Sequence, residues 1–126
     1  MAGQGATGLA GAVVLALVGA GCGGGVEAEP RRIPSADPAR GLEIARQAGC
    51  GACHDIPGID WPKGRVGPPL HGMGDRALIG SGLPNRPESL IPYLRDAPSV
   101  DPGSPMPPMP LSLEEARDIA AYLYEP

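Results

Sequence analysis

The chain has 126 residues and a formal charge of −4 with acids and bases interspersed, so it has room for one compact domain and lacks the basic surface that nucleic-acid binding requires. Aromatic residues make up 3%, Phe is absent, and Gly (20) and Pro (17) are abundant, a composition that buries little apolar surface by itself. Such a chain either stays disordered or wraps around an apolar group that is not its own.

Leu9 to Ala20 is an apolar run of small residues. It has the length of a signal-peptide core and is too short to span a bilayer. Val18-Gly19-Ala20-Gly21-Cys22 closes the run and resembles the lipobox of bacterial lipoproteins, in which the Cys is lipidated and becomes the mature N-terminus. That resemblance implies a signal over 1–21, export to the periplasmic side and a membrane anchor through Cys22. The alternative is an ordinary cleaved signal, with Cys22 removed or left free. Gly23-Gly24-Gly25 and the Pro-, Arg- and Glu-rich stretch to Ser35 lack an apolar period and are expected to form a flexible tether over 22–36. The folded domain is expected over 37–126.

A first helix is expected from about Pro38 to Ala48, with small residues such as Gly41 and Ala45 on one face. Next comes Cys50-Gly51-Ala52-Cys53-His54, the Cys-x-x-Cys-His signature of c-type haem attachment. Two thiols three positions apart reach the two vinyl groups on one edge of a porphyrin, and the adjacent imidazole then lies beneath the iron. Gly51 and Ala52 leave space for the macrocycle's edge. A thioredoxin-like pair would need a preceding strand and a βαβ context, and a zinc site would need four ligands at standard spacing. Neither pattern is present.

The iron of such a group takes a second axial ligand or keeps an open position, and that choice separates an electron carrier from a gas binder or peroxidase. His71, Met73, Met106 and Met109 are the candidates. Pro105-Met106-Pro107-Pro108-Met109-Pro110 stands out, because prolines on either side of a Met fix the backbone torsions and leave little entropy to lose. Behind it, Ser112 and Glu115 form a capping box for a helix with Leu113, Ala116, Ala120 and Leu123 at helical spacing. Glu88 to Arg95 also reads as helical, with Pro92 expected to kink it or to mark a late start.

From Asp37 onward the chain resembles the bacterial class I c-type cytochromes. Four blocks in order carry the resemblance: the first helix with the attachment motif, Gly67-Pro68-Pro69-Leu70, the helix containing Tyr93, and the Met loop before an Ala-Tyr-Leu helix. The resemblance implies an all-α fold of three to five short helices around one haem c, attached through Cys50 and Cys53 with His54 and Met106 as iron ligands. Met109 is the alternative distal ligand, and His71 would make a bis-His haem. It further implies that the Pro68 carbonyl accepts a hydrogen bond from the His54 imidazole and that Arg76 pairs with a haem propionate, the other propionate taking a donor from Asn85, Trp61 or Ser104. By the same resemblance the Tyr93 hydroxyl bonds the Met sulfur, and the first and last helices cross closely near Ala120, Ala121 and Tyr122.

The expected function is single-electron relay between redox proteins such as a dehydrogenase, an oxidase or another cytochrome, without a small-molecule substrate and without catalysis by the chain itself. Two alternatives stand beside it. One is a subunit of a larger dehydrogenase or oxidase complex, and the other is a peroxidase or gas-binding haem with Met106 displaced.

Overall fold

A computed structural model of the chain describes residues 1–3, 5 and 31–125. The apolar run from Leu9 to Ala20 and Cys22 lie outside the described residues. Helix α1 spans Pro38–Gln47, α2 Pro87–Arg95, α3 Ala97–Val100 and α4 Leu113–Leu123. Between α1 and α2 a two-residue antiparallel ladder joins β1, Leu78–Ile79, to β2, Leu83–Pro84. The fold is helical apart from this ladder, and no helix among the described residues is long and apolar enough to cross a membrane.

Helix α1 begins where Asp37 caps it, the side chain accepting from the Arg40 amide at 3.1 Å, with Pro38 in the first turn, where its missing N–H costs nothing. It ends at Gly49, whose φ of 75° lets the chain turn left-handed while its amide donates to the Arg46 carbonyl at 3.1 Å. Helix α4 carries the complete capping box: the Glu115 amide donates to Ser112 Oγ at 3.1 Å and the Ser112 amide to Glu115 Oε2 at 2.7 Å. Those Ser112 donors hold the Glu115 carboxyl below its ordinary pKa. Helix α2 starts at Pro87 and keeps Pro92 inside it.

The close crossing of α1 with α4 organises the core. A Cβ on Gly41 would overlap the Asp118 carbonyl, so the two backbones meet there without an intervening side chain. This contact is at the Asp118–Ile119 peptide, directly before the Ala120 to Tyr122 stretch at which the crossing is expected. Beside it the Asp118 carboxylate, 1% exposed, accepts from the Asp37 amide at 2.8 Å and from Arg40 Nε. Ala45, Leu90, Leu94, Ala116, Ile119, Ala120 and Leu123 fill the interior, with Ile56 and Ile59 from the loop after the attachment motif. Each fully buried Ile or Leu contributes on the order of 1.5–3 kcal/mol.

Of the stretch expected to form a tether over 22–36, residues 31–36 are described, and they lie against the domain. Residues 31–36 dock on the domain: Ile33 is buried in the core cluster, Arg117 donates to the Pro34 carbonyl at 2.7 Å, and Arg31 donates to the carbonyls of Gly74 and Arg76. The Arg31 guanidinium also stands 5.7 Å from the centre of the Tyr124 ring. A single apolar residue among charged and proline neighbours has no period to betray it, yet it suffices to pin the segment.

Candidate functional site: the cysteine-histidine turn and the methionine loop

Cys50–Ala52 forms one 3₁₀ turn, with the Cys53 and His54 amides donating to the Cys50 carbonyl at 3.2 and 3.0 Å. Three residues per turn place Cys50 and Cys53 one above the other. Both thiols are free; Cys53 is exposed and Cys50 half-buried, and burial pushes the Cys50 pKa up. The loop that follows is fastened to this turn by backbone bonds, Gly64 to the Gly51 carbonyl, Gly67 to that of Cys53 and Leu70 to that of Asp55, each at 2.8 Å. Gly51 owes its smallness to this loop, since a Cβ there would lie 2.7 Å from the Pro62 carbonyl.

The imidazole of His54 is held on two sides. Its Nδ1 lies 2.7 Å from the Pro68 carbonyl, which orients the ring and leaves Nε2 as the donor atom for a metal. A Cβ on Gly67 would overlap the ring, so only glycine lets the loop backbone lie flat against it. Arg76 secures the same loop from outside, one Nη donating to the carbonyls of Pro69 at 2.6 Å and His71 at 3.0 Å. Its other guanidinium nitrogens have no partner among the described residues. Asn85 is not available to a propionate: it is 1% exposed, its amide nitrogen donates to Met73 and Arg76 carbonyls at 2.7 and 3.0 Å, and its oxygen accepts from the Tyr124 hydroxyl at 3.0 Å. Trp61 is 86% exposed.

The proline-rich loop is tied at both ends. At its start the Ser104 amide donates to the Asp101 carbonyl at 2.8 Å, Ser104 Oγ lies 2.8 Å from the Tyr93 hydroxyl, and the Met106 amide donates to Ser104 Oγ at 3.3 Å. At its end the Met109 amide donates to the Arg95 carbonyl at 2.8 Å, and Arg95 Nε donates to the Leu111 carbonyl at 3.0 Å. Tyr93, Ser104 and Met106 are therefore brought together, but not by the expected hydroxyl-to-sulfur bond. The Tyr93 hydroxyl meets Ser104, because a hydroxyl oxygen is a better acceptor than a thioether.

The other candidate ligands are engaged elsewhere. His71 Nε2 lies 3.2 Å from Asp55 Oδ1, Met73 is 4% exposed within the core, and Met109 packs against the core's edge. Met106 is half-buried outside that cluster. Sequence reasoning missed Arg95, Asp101, Ser81 and the docked Arg31, none of which sits in a recognisable local pattern.

Two free thiols on one 3₁₀ turn, an imidazole oriented by a carbonyl and a glycine cradle that keeps the ring in place suit a covalently attached haem c; the donor chemistry fits the group. The family model described as cytochrome c matches residues 38–125. The chain is also 31% identical over 85 residues to cytochrome c oxidase subunit 2 of Alkalihalophilus pseudofirmus, a match covering 67% of this chain and 24% of that relative, so it spans about a quarter of the relative's length. The matched span contains the cysteine-histidine turn, the Gly67-Pro68-Pro69-Leu70 loop and the Met loop together, and the chain belongs to the cytochrome c family, whose members carry electrons on covalently bound haem c.

Proposed function

We propose that this chain is an exported single-electron carrier whose haem is bonded through Cys50 and Cys53 and ligated by His54 and Met106. Haem c supplies a reversible one-electron change at iron with little movement of the atoms around it. The protein's part is to hold two axial donors and to keep the loops that carry them from rearranging. On the proximal side Pro68 and Gly67 fix the imidazole. On the distal side one observation carries the reading: of four candidate ligands, His71, Met73 and Met109 are engaged elsewhere, while Met106 sits in a loop tied at both ends. Nitrogen and thioether ligation together favour a comparatively high potential, suited to delivering electrons to an oxidase or accepting them from a dehydrogenase. The unpaired nitrogens of Arg76 are the donors we assign to a propionate.

Residues 1–21 act as the export signal in this reading, and Cys22 carries the lipid that keeps the domain at the periplasmic face of a membrane. Mass spectrometry of the mature N-terminus tests it: a lipid-modified Cys22 at the first position is expected, and an unmodified chain starting elsewhere rules out the anchor. A second reading, a subunit of an oxidase complex, is favoured by the likeness to oxidase subunit 2. Copurification with integral membrane subunits would decide for it.

The optical spectrum of the oxidised protein tests the ligand assignment. A Met-to-iron charge-transfer band is expected, absent in Met106→Ala and retained in Met109→Ala. A high-spin or carbon-monoxide-binding haem in the unaltered protein would sink the electron-carrier reading.

A further inference from the structure

Asp101 is a carboxylate that the electron-carrier reading leaves without a task. It is only 5% exposed, and a charge so placed needs donors. Ser81 supplies two: its amide donates to Oδ2 at 2.8 Å and its hydroxyl to Oδ1 at 2.7 Å. These bonds hold the carboxyl below the usual range, so it stays charged at neutral pH.

Ser81 lies in the turn between β1 and β2, and the turn is shaped for this contact. Gly80 has a φ of 54°, and a Cβ on it would overlap Asp101 Oδ2 and lie 2.9 Å from the Tyr93 ring. Only glycine lets the turn sit so close to both side chains. From Asp101 the connection continues without a gap: its carbonyl accepts from the Ser104 amide, Ser104 Oγ meets Tyr93, and the Met106 amide donates to Ser104 Oγ. The intervening Pro102-Gly103 turn would otherwise be free to hinge.

We propose that the Asp101 carboxylate, gripped by Ser81, is a positioning residue that latches the start of the Met106 loop and keeps it closed over the haem. The proposal rests on the reading of Met106 as distal ligand. Without the latch, the 80–82 turn and the 101–104 turn are released from each other, and the loop samples an open, Met-detached state more often. Removing the charge from both Ser81 bonds together weakens the latch enough to raise such a population about tenfold.

Binding of imidazole to the ferric holoprotein reads that population, since imidazole competes with the Met for the distal position. Asp101→Asn is expected to raise the apparent imidazole affinity about tenfold, and Ser81→Ala, which keeps the amide donor, about threefold. In the Met106→Ala background, adding Asp101→Asn changes nothing, because no ligand is left to detach. If Met106→Ala itself leaves imidazole affinity unchanged, the ligand reading fails and the latch falls with it. If Met106→Ala raises the affinity while Asp101→Asn and Ser81→Ala leave it within twofold of the unaltered protein, the ligand stands and the latch is overturned. Should Asp101→Asn not fold, the Ser81→Ala result alone decides.

Discussion

Gly41 of α1 lies against the Asp118 carbonyl of α4 so closely that a Cβ would overlap it. The obstacle is backbone, held by α4's own hydrogen bonds, so it cannot swing aside as a side-chain end would. Gly41→Ala therefore forces the helices apart, and overpacking of this kind costs typically about 1–3 kcal/mol. Alanine's better helix propensity returns about 1 kcal/mol of that. An overlap this deep with backbone falls at the upper end of that range, so denaturant unfolding of the holoprotein is expected to show a net loss of about 2 kcal/mol, and an unchanged midpoint would mean that the crossing is looser than described.

Gly67 makes the corresponding approach to the His54 ring. Gly67→Ala has to displace either the loop or the imidazole, and the Pro68 carbonyl that orients the ring is the next residue along. The variant is expected to lower the yield of haem-bearing protein and to shift the midpoint potential of what is recovered, as loss of an orienting partner does. Potentiometric titration beside the unaltered protein measures the effect.

The docked segment before α1 adds stability that a domain cut at residue 37 would lack. Ile33 is 8% exposed and packs into the core cluster. Ile33→Ala is expected to cost about 2 kcal/mol, the low end for removing a buried Ile side chain because the site lies at the core's edge. Arg31→Ala, which removes the bonds to the Gly74 and Arg76 carbonyls, is expected to cost about 1 kcal/mol. Thermal unfolding of both variants checks the ranking.

Burial pushes the Tyr124 phenol up to about 12, with Glu88 adding to the rise and the Arg31 guanidinium opposing it. The unfolded chain releases this proton near pH 10, so the folded state holds more protons between about pH 10 and 12. The stability from keeping the phenol neutral is complete below about pH 10 and is lost as the pH rises through the folded value. Helical content followed through denaturant titrations at a series of alkaline pH values is expected to show this decline. Tyr124→Phe flattens the decline while costing about 1 kcal/mol at neutral pH for the lost bond to Asn85.

Features built from neighbouring residues were legible before any fold was known. The five residues from Cys50 to His54 specify the attachment chemistry among themselves, and Ser112 with Glu115 specifies the start of α4, because the interacting groups are four or fewer positions apart. The Pro-Met-Pro pattern likewise marked the loop, though not which Met was free. Only the tertiary structure shows what the two Met side chains pack against: Met109 lies against the core cluster and Met106 does not.

The same limit applies to the contacts that hold the loops still. Asp101 meets Ser81 twenty residues away, Asp118 meets the Asp37 amide across 81, and Arg31 meets Gly74 across 43. A carboxylate or guanidinium in a loop reads as solvated until the fold removes its water, and only the position of a distant donor determines whether burying it is tolerable. The local sequence therefore specified the chemistry of the attachment site, whereas the folded chain decided which groups are held against it.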